Sequence, residues 1–276
     1  MKKMLAIVFA VVMFLVVVPM SVFAEEPAIS WTYEEETGEL VISGNGAMDN
    51  YSATAPAPWD EYRTEIKKIS VESGVTTIGN DTFIGCSNLT EVSLPDGLTK
   101  IGDSAFRDCS SLTDIELPDT VKSLGHYAFY GCIGFEEFWL GDGVKTIGNH
   151  AFRKCTNLRI ITFSDSITTV NKNAFNECES LDFVIYKGTK DQWSAVTISE
   201  GNDIIKSAML RCGEIIKYDA DGNGEINATD ALCCLQHAVG KVNYVGDWAD
   251  SMDINSDGKI NSYDALKILQ YSVNAD

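Results

Sequence analysis

The chain has 276 residues, with 40 Asp and Glu against 21 Lys and Arg, for a formal net charge of −19. Nucleic acid and anionic membrane surfaces select for Lys and Arg, so an acidic balance of this size argues against both as partners. The length leaves room for two modest domains, and 45% hydrophobic residues is ordinary for a chain that folds.

At the start, Lys2 and Lys3 precede an apolar run from Met4 to Val18, and Val22-Phe23-Ala24 places small residues at a cleavage position. This pattern predicts a secretory signal peptide over residues 1–24, a mature chain from Glu25 and an extracellular location. An uncleaved anchor is the alternative, and Pro19 with the small-residue ending favours cleavage. No later stretch has the length and apolarity of a membrane span, so no stable insertion is expected after cleavage. Cleavage removes two lysines and no acids, which takes the charge from −19 to −21.

The middle of the chain repeats with a period of 23. Phe83, Phe106, Phe129, Phe152 and Phe175 form one column, and Cys86, Cys109, Cys132, Cys155 and Cys178 another. Ile78, Ile101, Leu124, Ile147 and Val170 form a third column, and Leu89, Leu112, Phe135, Leu158 and Leu181 a fourth. A unit this short cannot bury its own apolar side, so units must stack into a solenoid in which each covers the next. Segments such as Leu89-Thr-Glu-Val-Ser-Leu94 read as short strands, pairing in parallel along one face of the stack. The alternation gives two outward columns: Glu91, Asp114, Glu137, Ile160 and Phe183, then Ser93, Glu116, Trp139, Thr162 and Ile185. That face is acidic at its N-terminal end and aromatic to apolar toward its C-terminal end. Glu91, Glu116, Trp139 and Phe183 are its candidate ligand contacts, with a cap or flanking loop as the alternative occupant.

The recurring Ala-Phe-x-x-Cys (Ala105–Cys109, Ala128–Cys132, Ala151–Cys155, Ala174–Cys178), with Thr82 in place of Ala in the first unit, resembles the BspA-like leucine-rich repeats of bacterial surface proteins. The segment from Ile29-Ser-Trp-Thr-Tyr33 to Ala57-Pro-Trp59 resembles the N-terminal cap of such arrays, and Gly188-Thr-Lys-Asp-Gln-Trp193 their closing unit. The expected boundaries are 25–68 for the cap and 69–210 for the repeats with their closing unit.

Five of the eight cysteines occupy one repeat position, which is the signature of a buried packing column, and five members cannot all pair. Free buried thiols are therefore expected there. His126 and His150 fall at different positions of the repeat turn and define no shared site. No nucleophile–base pattern, phosphate-cradling glycine loop or zinc-ligand spacing is present, and no segment is left over for a catalytic domain, so the chain reads as a non-enzyme.

The C-terminal part holds two stretches in register, 34 residues apart: Asp219 to Asp230 and Asp253 to Asp264. Oxygen-bearing side chains fall at loop positions 1, 3, 5, 9 and 12: Asp219, Asp221, Asn223, Asn227 and Asp230, then Asp253, Asn255, Asp257, Asn261 and Asp264. Glycine occupies position 6 (Gly224, Gly258), and the carbonyls of Glu225 and Lys259 fall at position 7. Calcium takes six to eight hard oxygens on a flexible ring, and this spacing supplies them, so two calcium ions are expected. Asp at position 12 is shorter than the usual Glu. Each loop leads into a helix, and Leu232, Leu235 and Val239, like Leu266, Leu269 and Val273, recur at helical spacing and predict one buried stripe per helix. Aligning the two helices sets Cys234 against Ile268, a core position, and Cys233 against Lys267, an exposed and oxidisable one.

This tandem loop–helix arrangement, without a helix before either loop, resembles a type I dockerin, and is expected over residues 211–276. The resemblance implies a partner, the cohesin module of a scaffoldin, in cellulosome-type assemblies that degrade polysaccharide. It places partner contacts at Ala228, Thr229, Leu235 and Gln236 in the first half and at Ser262, Tyr263, Leu269 and Gln270 in the second. The expected fold class is α+β: a β-rich leucine-rich repeat solenoid with a small all-α calcium-binding dockerin. The expected function is a secreted, non-catalytic adaptor attached to a cell-surface scaffold, with the repeats presenting a surface for protein or glycan. The alternative is an adhesin whose C-terminal module only caps the array.

Overall fold

Stacking at a 23-residue period dictates that equivalent residues of successive turns sit side by side, and the computed structural model shows that register. It describes residues 28–213, 218–220, 225–240 and 251–274; the expected signal peptide, residues 1–24, lies outside them. Thr146 pairs with Ser123 on one side and Thr169 on the other, and Ile147 with Leu124 and Val170, all in parallel. This seven-stranded sheet runs along one side of the solenoid from Gly46–Ala47 to Thr197–Ile198. A second side carries the strands Lys68–Val71, Glu91–Ser93, Glu137–Trp139, Ile160–Phe163, Phe183–Tyr186 and Met209–Cys212. Parallel pairing thus occupies two sides of the stack, where the sequence predicts one.

The second side is not continuous. Residues 114–117 join no ladder, so it divides into one four-stranded sheet ending at Glu91–Ser93 and another beginning at Glu137–Trp139. The outward column there is Glu91, Asp114 and Glu137, and a closed ladder would hold these like charges at strand spacing, which is destabilising.

The core is a set of ladders. Successive Phe rings lie 5.3, 5.4, 5.3 and 5.1 Å apart from Phe83 to Phe175. Trp59 stacks on the first of them, Phe83, at 5.9 Å, and its indole N–H donates to the Thr82 carbonyl at 3.0 Å. At the other end Trp193 leans on Phe163 and Tyr186, and the spacing widens as two short helices, Lys190–Ser194 and Asp203–Ser207, are inserted: Phe183 pairs with Met209 and Thr169 with Thr197. Before the first turn, Ile29–Glu34 and Glu39–Gly44 form an antiparallel hairpin whose second strand pairs with Lys68–Val71. Gly102, Gly125 and Gly148 mark where adjacent turns touch: a Cβ on Gly125 would lie 2.4 Å from the Gly102 carbonyl carbon.

The cysteine column has a hydrogen-bonding reason as well as a packing one. Cys109, Cys132, Cys155 and Cys178 donate their thiols to the carbonyls of Phe83, Phe106, Phe129 and Phe152, each in the preceding turn, at 3.0–3.2 Å. None of the eight cysteines is in a disulfide. Burial raises the thiols of the column, those of Cys86 and Cys178 from the usual 9.0 to about 12. His126 and His150 share no site: Nδ1 of His126 accepts the Asn149 N–H, and the His150 ring stacks on Tyr127 at 4.7 Å.

Truncating one rung, Phe129→Ala, is expected to cost about 3–5 kcal/mol in urea unfolding, and a loss below about 1 kcal/mol would contradict a continuous ladder. The thiols add a pH dependence. Their native pKa lies above the unfolded value, so their contribution is complete below about pH 9 and is lost as pH rises toward about 12. Urea midpoints should hold steady to pH 9 and fall beyond it. Replacing the column's cysteines with Ala should flatten that fall, and an unchanged slope would exclude the thiols as its cause.

Candidate functional site

The second loop folds by turning its own side-chain oxygens onto its backbone. Asp253 accepts the N–H groups of Asp257 and Gly258 at 3.1 and 2.7 Å, Asn255 that of Asp257 at 3.2 Å, and Asp257 that of Lys259 at 2.9 Å. Asp264, fully buried at the loop's end, accepts from Ile254 at 2.9 Å and from Asn261 at 2.9 Å, which ties the loop's two ends together. Gly258 has φ +80°, and nothing lies within 4 Å of where its Cβ would be. What the glycine supplies is therefore the left-handed backbone, and no clash is avoided.

The first loop closes in the same way. Asp230 accepts the Asn227 N–H at 2.7 Å and Asn227 accepts the Thr229 N–H at 2.8 Å, matching Asp264 with Asn261 and Asn261 with Tyr263. Asp219 and Asp230 are buried. Asp221, Asn223 and Gly224 lie outside the described residues; Glu225 and Lys259 are exposed. Among the described residues no three His, Cys, Asp or Glu side chains form a metal cluster. In the second loop only Asp253, Asp257 and Asp264 are acidic, and Asn255, Asn261 and the Lys259 carbonyl complete the oxygen set. A donor set of carboxylate, amide and carbonyl oxygens, without sulfur or imidazole, fits calcium. Carboxylates buried as deeply as Asp219, Asp230 and Asp264 also need donors or a cation around them.

The two exit helices, Ala228–Ala238 and Ser262–Asn274, pack on each other, and here the expected stripes are corrected. Leu232, Leu235 and Val239 are exposed, as are Leu266, Leu269 and Val273, with Leu232 at 52% and Leu266 at 51%. The buried positions are Ala231 and Cys234 against Ala265 and Ile268, one residue earlier on each helix. Small side chains let the helices approach closely, and one residue of offset rotates the buried face by about 100°. Cys233 is corrected too: it is 6% exposed, inside a cluster with Ala220, Ala231, Met252, Ile160 and Phe183.

The predicted partner contacts all reach the surface of this module. Ala228, Thr229, Ser262 and Gln270 are exposed, Gln236 is half-buried, and Tyr263, Leu235 and Leu269 are exposed large side chains. The structure adds Leu232, Val239, Leu266, Tyr271 and Val273 to that surface. For all of these but Tyr271 the signal in the sequence is the helical spacing itself, which marks the exposed side of each helix.

On the repeats, Glu91 and Glu116 are exposed and Trp139 is 38% exposed, with the Lys187 ammonium 4.5 Å from its ring centroid. Phe183 does not belong with them. It is 3% exposed, covered by the C-terminal module through the cluster that holds Cys233. No described helix is long and apolar enough to cross a membrane.

Residues 61–182 match the family model of the BspA type Leucine rich repeat region in six copies, and residues 217–271 match that of the Dockerin type I domain. No curated protein matches the chain. Among solved structures, a leucine-rich repeat protein from Eubacterium ventriosum ATCC 27560 is similar at 30% identity and TM-score 0.54, over 60% of this chain and 43% of that one. A leucine rich cell surface protein from Faecalibacterium prausnitzii A2-165 is 26% identical at TM-score 0.47, over 62% of this chain and 41% of its own. The T. pallidum Leucine Rich Repeat protein is 22% identical at TM-score 0.48, over 62% and 83% respectively. The chain thus spans less than half the length of the Eubacterium and Faecalibacterium proteins. Type I dockerin domains bind calcium, in keeping with the oxygen-rich loops at 219–230 and 253–264. The chain carries a BspA-type leucine-rich repeat region followed by a C-terminal type I dockerin domain.

Proposed function

We propose that this protein is a secreted, non-catalytic adaptor. Its dockerin holds two calcium ions, one through Asp219, Asp221, Asn223, Asn227, Asp230 and the Glu225 carbonyl, the other through Asp253, Asn255, Asp257, Asn261, Asp264 and the Lys259 carbonyl. Loaded with calcium, the dockerin docks to a cohesin on a cell-surface scaffold of the polysaccharide-degrading kind. The repeats then present Trp139 and the acidic columns to a protein or glycan.

The observation that carries this reading is the pair of exposed apolar stripes on the exit helices. Leu232, Leu235 and Val239, with Leu266, Leu269 and Val273, stand out in water beside the exposed loop positions Ala228-Thr229 and Ser262-Tyr263. Apolar side chains repeated on two matched helices have no role in the module's own core, and a helix face of this kind fits a partner surface. A second reading, an adhesin whose module only covers the array, is favoured by the burial of Ile160 and Phe183 beneath that module.

Pull-down with residues 25–276 from surface extract separates the two. Recovery of a cohesin-bearing scaffold in calcium and its loss in chelator supports the adaptor. Calcium binding without any scaffold recovered favours the adhesin. Leu235→Asp and Leu269→Asp are each expected to weaken cohesin binding, by about 30-fold or more if the residue is a hot spot. Their effects should be unequal, because Ala228-Thr229 and Ser262-Tyr263 differ; equal losses would instead support two interchangeable docking modes. At about 1000-fold excess over its dissociation constant, each calcium should add about 4 kcal/mol to the module's stability. Asp253→Ala should remove one ion from the calorimetric count and reduce helical circular dichroism, and no change in either would refute the assigned site.

A further inference from the structure

The outer face of the last repeats records what covers it. Glu91–Ser93 alternates an exposed acid, an inward valine and an exposed serine. Ile160-Ile-Thr-Phe163 and Phe183-Val-Ile-Tyr186 do not alternate, and strands that are apolar on both faces belong in sheets covered on both sides. Their inward residues Ile161, Phe163, Val184 and Tyr186 are part of the solenoid core. Register places the outward ones in rows across neighbouring strands: Ile160, Phe183 and Met209 in one, Thr162, Ile185 and Arg211 in the next. Ile160 and Phe183 are buried outside the solenoid core, in the cluster that contains Ala220, Ala231, Cys233 and Met252, with Ile185 and Met209 packed against it. Arg211, on the same outward side, is 1% exposed and lies 5.6 Å from the Phe183 ring centroid.

We infer that the C-terminal module is latched onto the outer face of the last repeats through Phe183 and Ile160, and that this intramolecular contact fixes the orientation of the array relative to whatever the module binds. The occupant of this face is set by chain length as well as by chemistry. Only six residues separate the last repeat strand, which ends at Cys212, from Asp219. A tether this short spans about 25 Å at most and keeps the module at millimolar effective concentration over the patch, so a modest apolar contact suffices to hold it. The latch leaves Leu232, Leu235 and Val239 exposed, so it is compatible with docking. Resting on the calcium reading above, the latch also responds to calcium: a module that unfolds without its ions gives up the surface that covers Phe183, and the row containing Ile185, Thr162 and Trp139 becomes an apolar-aromatic patch.

The test uses the whole mature chain and Phe183→Asp, in calcium and in chelator. Three quantities are read: calcium stoichiometry by calorimetry, maximum dimension by small-angle scattering, and maleimide labelling of Cys233 by peptide mass spectrometry. In calcium, the wild-type chain should scatter as one rigid body with Cys233 protected. Phe183→Asp should keep its calcium, extend in scattering and label at Cys233 at least tenfold faster. Wild-type values for both dimension and labelling in the calcium-loaded variant would overturn the latch. Should Phe183→Asp not fold, wild-type scattering in calcium decides alone, since a free module gives a broad distribution of distances where a latched one gives a single rigid body. Absence of calcium binding to the wild type would overturn the calcium reading and the calcium response while leaving the latch to the scattering result.

Discussion

A 23-residue turn has too little chain to enclose an apolar core, so each turn of this protein is completed by the one beside it. The dependence is visible at every layer. Phe rings stack on the Phe of the neighbouring turn, cysteine thiols satisfy carbonyls one turn back, and Gly125 leaves room for the backbone of Gly102. Because the bonds run between turns, substitutions at one column position are felt by two turns at once, and the energetics are those of nearest neighbours along a line. The same logic makes the ends costly. Trp59 supplies the first Phe with a partner that no earlier repeat could provide, and Trp193 fills the space beside Phe163 and Tyr186 where the regular spacing stops.

The C-terminal module answers a different problem by different means. Two helices and two loops of this size enclose very little, and the module's own share of the buried cluster is seven residues, three of them alanines: Ala220, Ala231, Cys233, Cys234, Met252, Ala265 and Ile268. Part of what stabilises it must come from outside that cluster. The loops draw on their own oxygens and backbone N–H groups, with a cation as the natural complement to three buried carboxylates. The repeat sheet supplies Ile160 and Phe183.

Much of this was readable in the sequence wherever a repeat supplied its own control. A period of 23 with four fixed columns determines stacking, and the loop positions of one half check those of the other. The sequence was misleading where periodicity identifies a face but not its neighbour. Leu232, Leu235 and Val239 define a helical stripe as convincingly as Ala231 and Cys234 do, and the choice between them depends on how the two helices pack on each other, which puts Ala231 and Ala265 inside. Phe183 was placed correctly on the outward side of its strand, yet alternation within one strand is silent about a second layer. The signal for that layer was the loss of alternation in Ile160–Phe163 and Phe183–Tyr186, against its presence in Glu91–Ser93.

The module's internal symmetry makes the last point. Its halves match at Ala231 with Ala265, Leu232 with Leu266 and Leu235 with Leu269, so a free module would present equivalent environments twice. Among the positions where the match fails is Cys233 against Lys267. Cys233 is buried in the cluster with Phe183, while Lys267 is half-buried with its ammonium 5.5 Å from the Tyr263 ring centroid. An ammonium at position 233 would have to shed its water against an apolar sheet, at a cost of several kcal/mol, whereas a thiol loses almost nothing there. A two-fold module held by one of its sides must lose equivalence at the residues on that side, and position 233 is one where the sequence departs from its own repeat in that direction.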